Sequence, residues 1–332
     1  MKTNCDTSNS LLASESFYAN TLYVLTLIGL IIEVYAGYCI IFKTPRKMES
    51  ARINMGIMHF WTMTLGLFYG FLNVPYVILP VSACSSLGFL ASLNFPTSVQ
   101  VYLSFTIVTC NAVSIISFFE NRYNQISRLT EDSITRKYIR IFIYFLHYIG
   151  ACFVVLPPYL DLPDQESSKY LVKNQLLPCV PLSILNHPSF FVLTLEPTVL
   201  LSTTILALLL TTGQIKFFIM GTCYHLLKSR KNTSQRTYHL KKLFFISLCI
   251  QIFIPFFLVI IPSSYVVFSM IFDYYNQAIS NLSIVLLASY GSFSSVVLLV
   301  VHKPYREFTL RLFIKKKIVK VSKGQLSSAV VY

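Results

Sequence analysis

The chain has 332 residues, 55% of them apolar and 12% charged, with a formal net charge of +14 at pH 7; an ordinary soluble domain carries roughly 25% charged residues. No charged residue occurs from Ile53 through Phe119, whereas a water-exposed fold must interleave charges with its core. Eight cysteines, eleven glycines and abundant aromatics exclude a disulfide scaffold, a collagen-like chain and disorder. A polytopic membrane protein remains.

Crossing roughly 30 Å of hydrocarbon at about 1.5 Å per residue takes about 20 apolar residues. Seven such runs are present. The first is Leu22 to Phe42, interrupted by Glu33, and the second follows Arg52 and ends near Leu79, with Pro75 and Pro80 at its exit. Polar and breaker residues from Cys84 to Pro96 separate it from the third, Val99 to Phe119. The fourth is Ile141 to Leu160, and the fifth is Phe190 to Ile215, with Glu196 and Pro197 in its first turns. The sixth is Leu243 to Tyr265, bent at Pro255, and the seventh is Ala278 to Val301. Helices satisfy their own backbone groups in lipid, and the ten-residue alternating segments of a barrel are not the pattern here. The expected fold is therefore an all-α membrane protein, a seven-transmembrane helix bundle over 22–301. Residues 1–21 form a short external N-terminus without the pattern of a cleavable signal, and 302–332 form a basic internal tail.

All Lys and Arg residues except Lys2, Lys169 and Lys173 fall after spans one, three and five or in the tail. The positive-inside rule then sets the N-terminus outside and the C-terminus inside. The charge is thus a topology signal, partly a basic skin against anionic lipid, and nucleic acid is not an expected partner. After Pro304, Phe308, Leu312 and Phe313 share one face of a basic segment, the pattern of a short interfacial C-terminal helix.

Chemistry-bearing patterns are missing from the membrane segments. The six histidines are scattered without ligand spacing, the eight cysteines form no C-x-x-C pair, and no Gly-framed serine stands near a base. No catalytic residue, metal or cofactor is expected. An odd span count and a single mid-span acid, Glu33, read against a transporter of repeated halves.

At the inner end of span three stands Glu120-Asn121-Arg122-Tyr123. It resembles the acid-Arg-Tyr motif of rhodopsin-like G-protein-coupled receptors, with Asn121 where those have an acid and Glu120 nearly opposite Arg122 on a helix. Read with Gly37-Tyr38-Cys39-Ile40, Lys43-Thr44-Pro45, His59-Phe60-Trp61, Pro178-Cys179-Val180-Pro181, Gln251 with Ile254-Pro255, Tyr274-Tyr275-Asn276-Gln277 and His302 with Pro304-Tyr305-Arg306, the chain resembles the nematode serpentine receptor class H family of chemosensory receptors. It departs from that pattern at Gly66, where an acid is usual, and at Tyr290, where a His is usual. The resemblance implies a receptor, not an enzyme, that binds a small external odorant or soluble cue and activates a heterotrimeric G protein. Glu120, Asn121, Arg122 and Tyr123 would then serve coupling or gating, in the plasma membrane or cilium of a sensory neuron. A seven-span ligand-gated channel or transporter is the alternative.

Pro255 lacks the N–H that would bond the Gln251 carbonyl, so Gln251 and Pro255 read as a hinge in span six. Cys84 and Cys179 both fall on the oxidising side and form a candidate disulfide. Because the external segments are too short to enclose a ligand, the pocket is expected in the outer half of the bundle. Its candidate lining is Tyr102, Phe105 and Thr109 on span three with Tyr265, Tyr274 and Gln277 at the outer ends of spans six and seven. Such a lining suits an uncharged or weakly polar molecule.

Overall fold

The computed structural model describes residues 11–127, 134–177, 180–229 and 234–312. The long helices are α1 (Glu15–Phe42), α2 (Glu49–Leu67), α3 (Thr97–Ser127), α4 (Ile134–Phe153), α5 (Thr198–Ser229), α6 (Gln235–Phe272), α7 (Gln277–Ala288) and α8 (Tyr290–Val301). A further helix, α9, covers 303–312. Helices α1 to α5 are long and apolar enough to cross a bilayer, and α7 with α8 does so as one span bent by 42°. With the 38-residue α6 they form a seven-transmembrane bundle.

The central element is α3, which packs against α2, α4 and α5. Its inner face is polar at helical spacing, and Gln100, Ser104, Asn111, Ser114, Ser117 and Arg122 are all buried. Polar residues in an apolar helix turn inward, where protein rather than lipid can satisfy them. Helix α4 packs mainly on α3, with Tyr148 stacked on Trp61 of α2 and His147 3.2 Å from Gln214 of α5, and most of its remaining surface is exposed, as its apolar periphery requires in lipid.

Between α2 and α3 the chain forms a hairpin, β1 (Pro75–Ile78) and β2 (Ala83–Ser86). A third strand, β3 (Phe190–Val192), joins β2 from the segment ahead of α5. The sheet is antiparallel in the order β1-β2-β3, with Pro75 opposite Ser86 and Ser85 opposite Phe190. Two expected spans are corrected here. The second ends at Leu72 after a π turn rather than near Leu79, and the fifth starts at Thr198 rather than Phe190. Short apolar runs ending at Pro suit a buried strand as well as a helix end, and only pairing decides between them. Glu196 and Pro197 consequently precede α5, and the Pro197 carbonyl accepts from the Leu201 amide at 2.7 Å.

The third span begins at Thr97 and extends to Ser127, so the 120–123 tetrapeptide lies inside α3. The fourth covers 134–153 and the sixth 235–272, because helices continue beyond the hydrocarbon where charged residues still favour helix. The helical backbone of α6 runs through Pro255. The side chains of Gln251 and Pro255, and with them the expected hinge, lie outside the described residues, as does Phe313.

Candidate functional site

The sheet roofs one end of the bundle and is lashed to α3 by buried polar groups. Asn73 Nδ2 donates to Ser104 Oγ at 2.8 Å, and Ser86 Oγ lies 2.7 Å from both the Asn73 carbonyl and Gln100 Oε1. Gln165, in the segment after α4, binds Val192 of β3 with both ends of its amide, donating to the carbonyl at 3.1 Å and accepting from the N–H at 2.9 Å. The Tyr76 hydroxyl donates to the Ala13 carbonyl at 2.9 Å, and burial keeps that phenol protonated by pushing it upward. The roof is therefore fixed by the N-terminal segment, α3 and the loop ahead of α5 together.

Beneath it lies a cavity of about 310 Å³ walled by α3, α5, α6 and α7. Among the described residues no Asp, Glu, Lys, Arg or His lines it. Of the expected pocket residues, Phe105, Thr109 and Tyr265 are on its wall. The other three stand outside its lining. The Tyr102 hydroxyl donates to the Cys152 carbonyl of α4 at 3.2 Å, and the Tyr274 ring packs on Phe268 at 5.8 Å. Gln277 Nε2 donates to the Val77 carbonyl of β1 at 3.0 Å and to Asn281 Oδ1 at 2.8 Å. All three tie elements together because helical spacing chooses a face of the helix and not the neighbour that meets it.

Cys84 is the described half of the candidate disulfide. It is a free thiol on β2, buried among Leu79, Val101 and Phe191, and burial pushes it up to about 12. Strand alternation turns it onto the bundle, and a protonated buried thiol is a poor partner for exchange. Cys179 lies outside the described residues.

At the opposite end the tetrapeptide divides its contacts among three directions. Glu120 accepts from Arg140 of α4 through both oxygens, at 2.8 and 2.5 Å, and from the Tyr144 hydroxyl. Asn121 Oδ1 accepts from the same guanidinium at 3.3 Å. Arg122 is buried, with Nη1 donating to Gln125 at 2.5 Å and its guanidinium 5.7 Å from the Phe118 ring, beside His302. Tyr123 fits against Phe218 and His225 of α5, over Gly221, whose absent Cβ would stand 2.7 Å from the ring. The acid of the motif thus faces α4 and not Arg122, as their separation on the helix requires. Arg140 and Tyr144 are missed by sequence reading, although they stand one turn apart on α4 and a pair so placed was the available signal.

Residues 13–315 match the profile of the serpentine type 7TM GPCR chemoreceptor Srh. The chain belongs to the Srh family of serpentine chemoreceptors. This Srh receptor is 27% identical over 319 residues to Serpentine receptor class H-72 of Caenorhabditis elegans, covering 95% of this chain and 91% of that relative. Its fold resembles the crystal structure of squid rhodopsin with a TM-score of 0.50 at 11% identity, covering 89% of this chain and 84% of that one.

Gly66 and Tyr290 have definite surroundings in the structure. The Glu33 carboxylate of α1 lies 3.5 Å from the place a Gly66 Cβ would occupy, so an acid from span one fills the region where span two has none. Tyr290 is buried at the start of α8 and stands beside Asn111. Glu33 itself is buried and accepts from Ser292 Oγ at 3.1 Å, the inward, hydrogen-bonded placement expected of a mid-span acid.

Proposed function

We propose that the protein is a chemosensory G-protein-coupled receptor with its N-terminus outside and its tail inside, in the plasma membrane or cilium of a sensory neuron. A neutral small molecule enters the cavity under the sheet, and the basic end activates a heterotrimeric G protein. The observation that carries this reading is the charge-free cavity on α3, the same helix that presents Arg122 and Tyr123 at its other end. A ligand that binds one arrangement of α3, α5 and α6 better than another shifts the population of the arrangement the G protein recognises. Family membership supports the receptor class.

The test is expression in a cell line with a G-protein activation readout and a panel of volatile and water-soluble compounds. Arg122→Ala should abolish the response while surface delivery remains largely intact. Replacing Phe105 by Leu and Thr109 by Val should shift potency or selectivity without loss of expression. A ligand-evoked current that persists without any G protein would overturn the reading in favour of a channel.

A further inference from the structure

The cavity walls carry several hydroxyls, and many are already committed. Thr109 donates toward the Ala151 carbonyl at 3.0 Å, Thr212 toward Leu208 at 2.7 Å, Ser263 toward Val259 at 2.8 Å and Tyr265 toward Asn276 at 3.0 Å. Asn111 differs. It is 3% exposed, it lines the cavity, and its Oδ1 has no hydrogen-bond partner among the described residues. A buried amide oxygen left unmatched is uncommon in native structures because its lost hydration is not returned. The other buried unmatched atom on the lining, Ser82 Oγ, stands in the β1–β2 turn at the roof. Its hydroxyl rotates freely and serves as donor or acceptor, so it selects nothing. The Asn111 oxygen accepts only.

The two atoms stand at different depths of the space. Ser104, bonded to Asn73 beneath the sheet, stands about two helical turns, or ~10 Å, above Asn111 along α3. Asn111 therefore lies deep in the space, with Ile115 lining it one turn further in, Tyr290 within hydrogen-bonding reach of the amide, and the apolar side chains of Val108 and Phe105 rising toward the roof. An ammonium donor would satisfy the oxygen but would bring a charge into a lining that contains no acid, at a large desolvation cost. A neutral donor brings none. At ~30 Å³ of liquid volume per water, the cavity holds a molecule of on the order of ten non-hydrogen atoms.

We infer that this receptor takes a neutral, mainly apolar molecule bearing one hydroxyl, an alcohol or phenol, whose O–H donates to Asn111 Oδ1 deep in the cavity while its hydrocarbon body lies along Val108 and Phe105. This rests on the cavity being the ligand site, as in the proposed function, and deepens it by naming the ligand class and its anchor.

The experiment reads binding and not signalling, so the two readings fail separately. Purified full-length receptor in detergent is titrated with two probe series, thymol with thymol methyl ether and para-cymene, and menthol with menthyl methyl ether and menthylamine, and the rise in unfolding temperature gives apparent affinities. The alcohol or phenol of at least one series should bind roughly three- to tenfold tighter than its ether, the worth of one neutral hydrogen bond. In Asn111→Leu that advantage should vanish while para-cymene binds as before. Equal affinity for hydroxyl and ether in both series, tightest binding by menthylamine, or a hydroxyl advantage that survives Asn111→Leu would each overturn the inference, as would the absence of binding by both thymol and menthol. Should the Leu variant fail to fold, the hydroxyl-to-ether ratio on the wild type decides. Binding with the expected pattern but without G-protein activation by any bound probe would overturn the signalling proposal and leave this one standing.

Discussion

Glu33 is accommodated by side chains that are missing around it. A Cβ on Gly291 of α8 would lie 2.5 Å from Glu33 Oε1 and 2.7 Å from the Thr62 carbonyl, and one on Gly29 of α1 would fall on the Ser292 hydroxyl that donates to the carboxylate. His59 of α2 adds a hydrogen bond at 2.9 Å to the Glu33 carbonyl. The acid, the glycines and the serine therefore form one unit shared by three helices. Gly291→Ala should destabilise the folded receptor by about 2 kcal/mol, the ordinary cost of overpacking, seen as a lower unfolding temperature. Glu33→Gln keeps the acceptor and the volume, and surface expression should stay near wild type. Glu33→Leu removes the partner of Ser292, and expression should fall; full expression of the Leu variant with loss of ligand response would instead make Glu33 a ligand contact. Sequence reading sees Glu33 as a costly mid-span acid that must face inward. It does not see what receives it, because Gly66 and Gly291 are silent until their helices are set side by side.

The outer helix α4 depends on α3 for its place. Its attachment at the basic end is the Glu120–Arg140 pair reinforced by Tyr144, part-buried on both sides. Arg140→Met should cost ~2 kcal/mol, between the values for exposed and fully buried pairs, because it leaves Glu120 without its guanidinium. Thermal unfolding measures the loss, and recovery of stability in the double variant with Glu120→Gln would identify the stranded carboxylate as its cause. The contact between α3 and α5 rests on steric fit. Gly221→Ala should force the Tyr123 ring out of its slot and lower basal or evoked G-protein activation with little change in surface delivery. Helix existence is readable from apolar runs, since each window of about 20 residues partitions into lipid on its own account. Strands β1 and β3 are not, because four or three apolar residues beside a proline become a strand only when β2 offers the complementary hydrogen bonds.

Among the described residues the sheet and the start of α1 lie at one end, and the α1–α2 connection with Lys43 and Arg46, together with the ends of α3 and α5, lies at the other. A tag placed ahead of Leu11 should be labelled on intact cells, and one at the C-terminus only after permeabilisation; the reverse pattern would invert the proposed orientation. The number of spans and the ends that share a side were determined by the sequence alone. Each is a sum over local composition, and neither requires knowing which residue stands opposite. Tertiary structure decided the rest: the sheet over the cavity, Arg140 as the partner of Glu120, Glu33 in the space beside Gly66, and the unmatched oxygen of Asn111. These depend on pairs far apart in the chain, and helical period selects the face a side chain occupies while packing alone selects what that face meets.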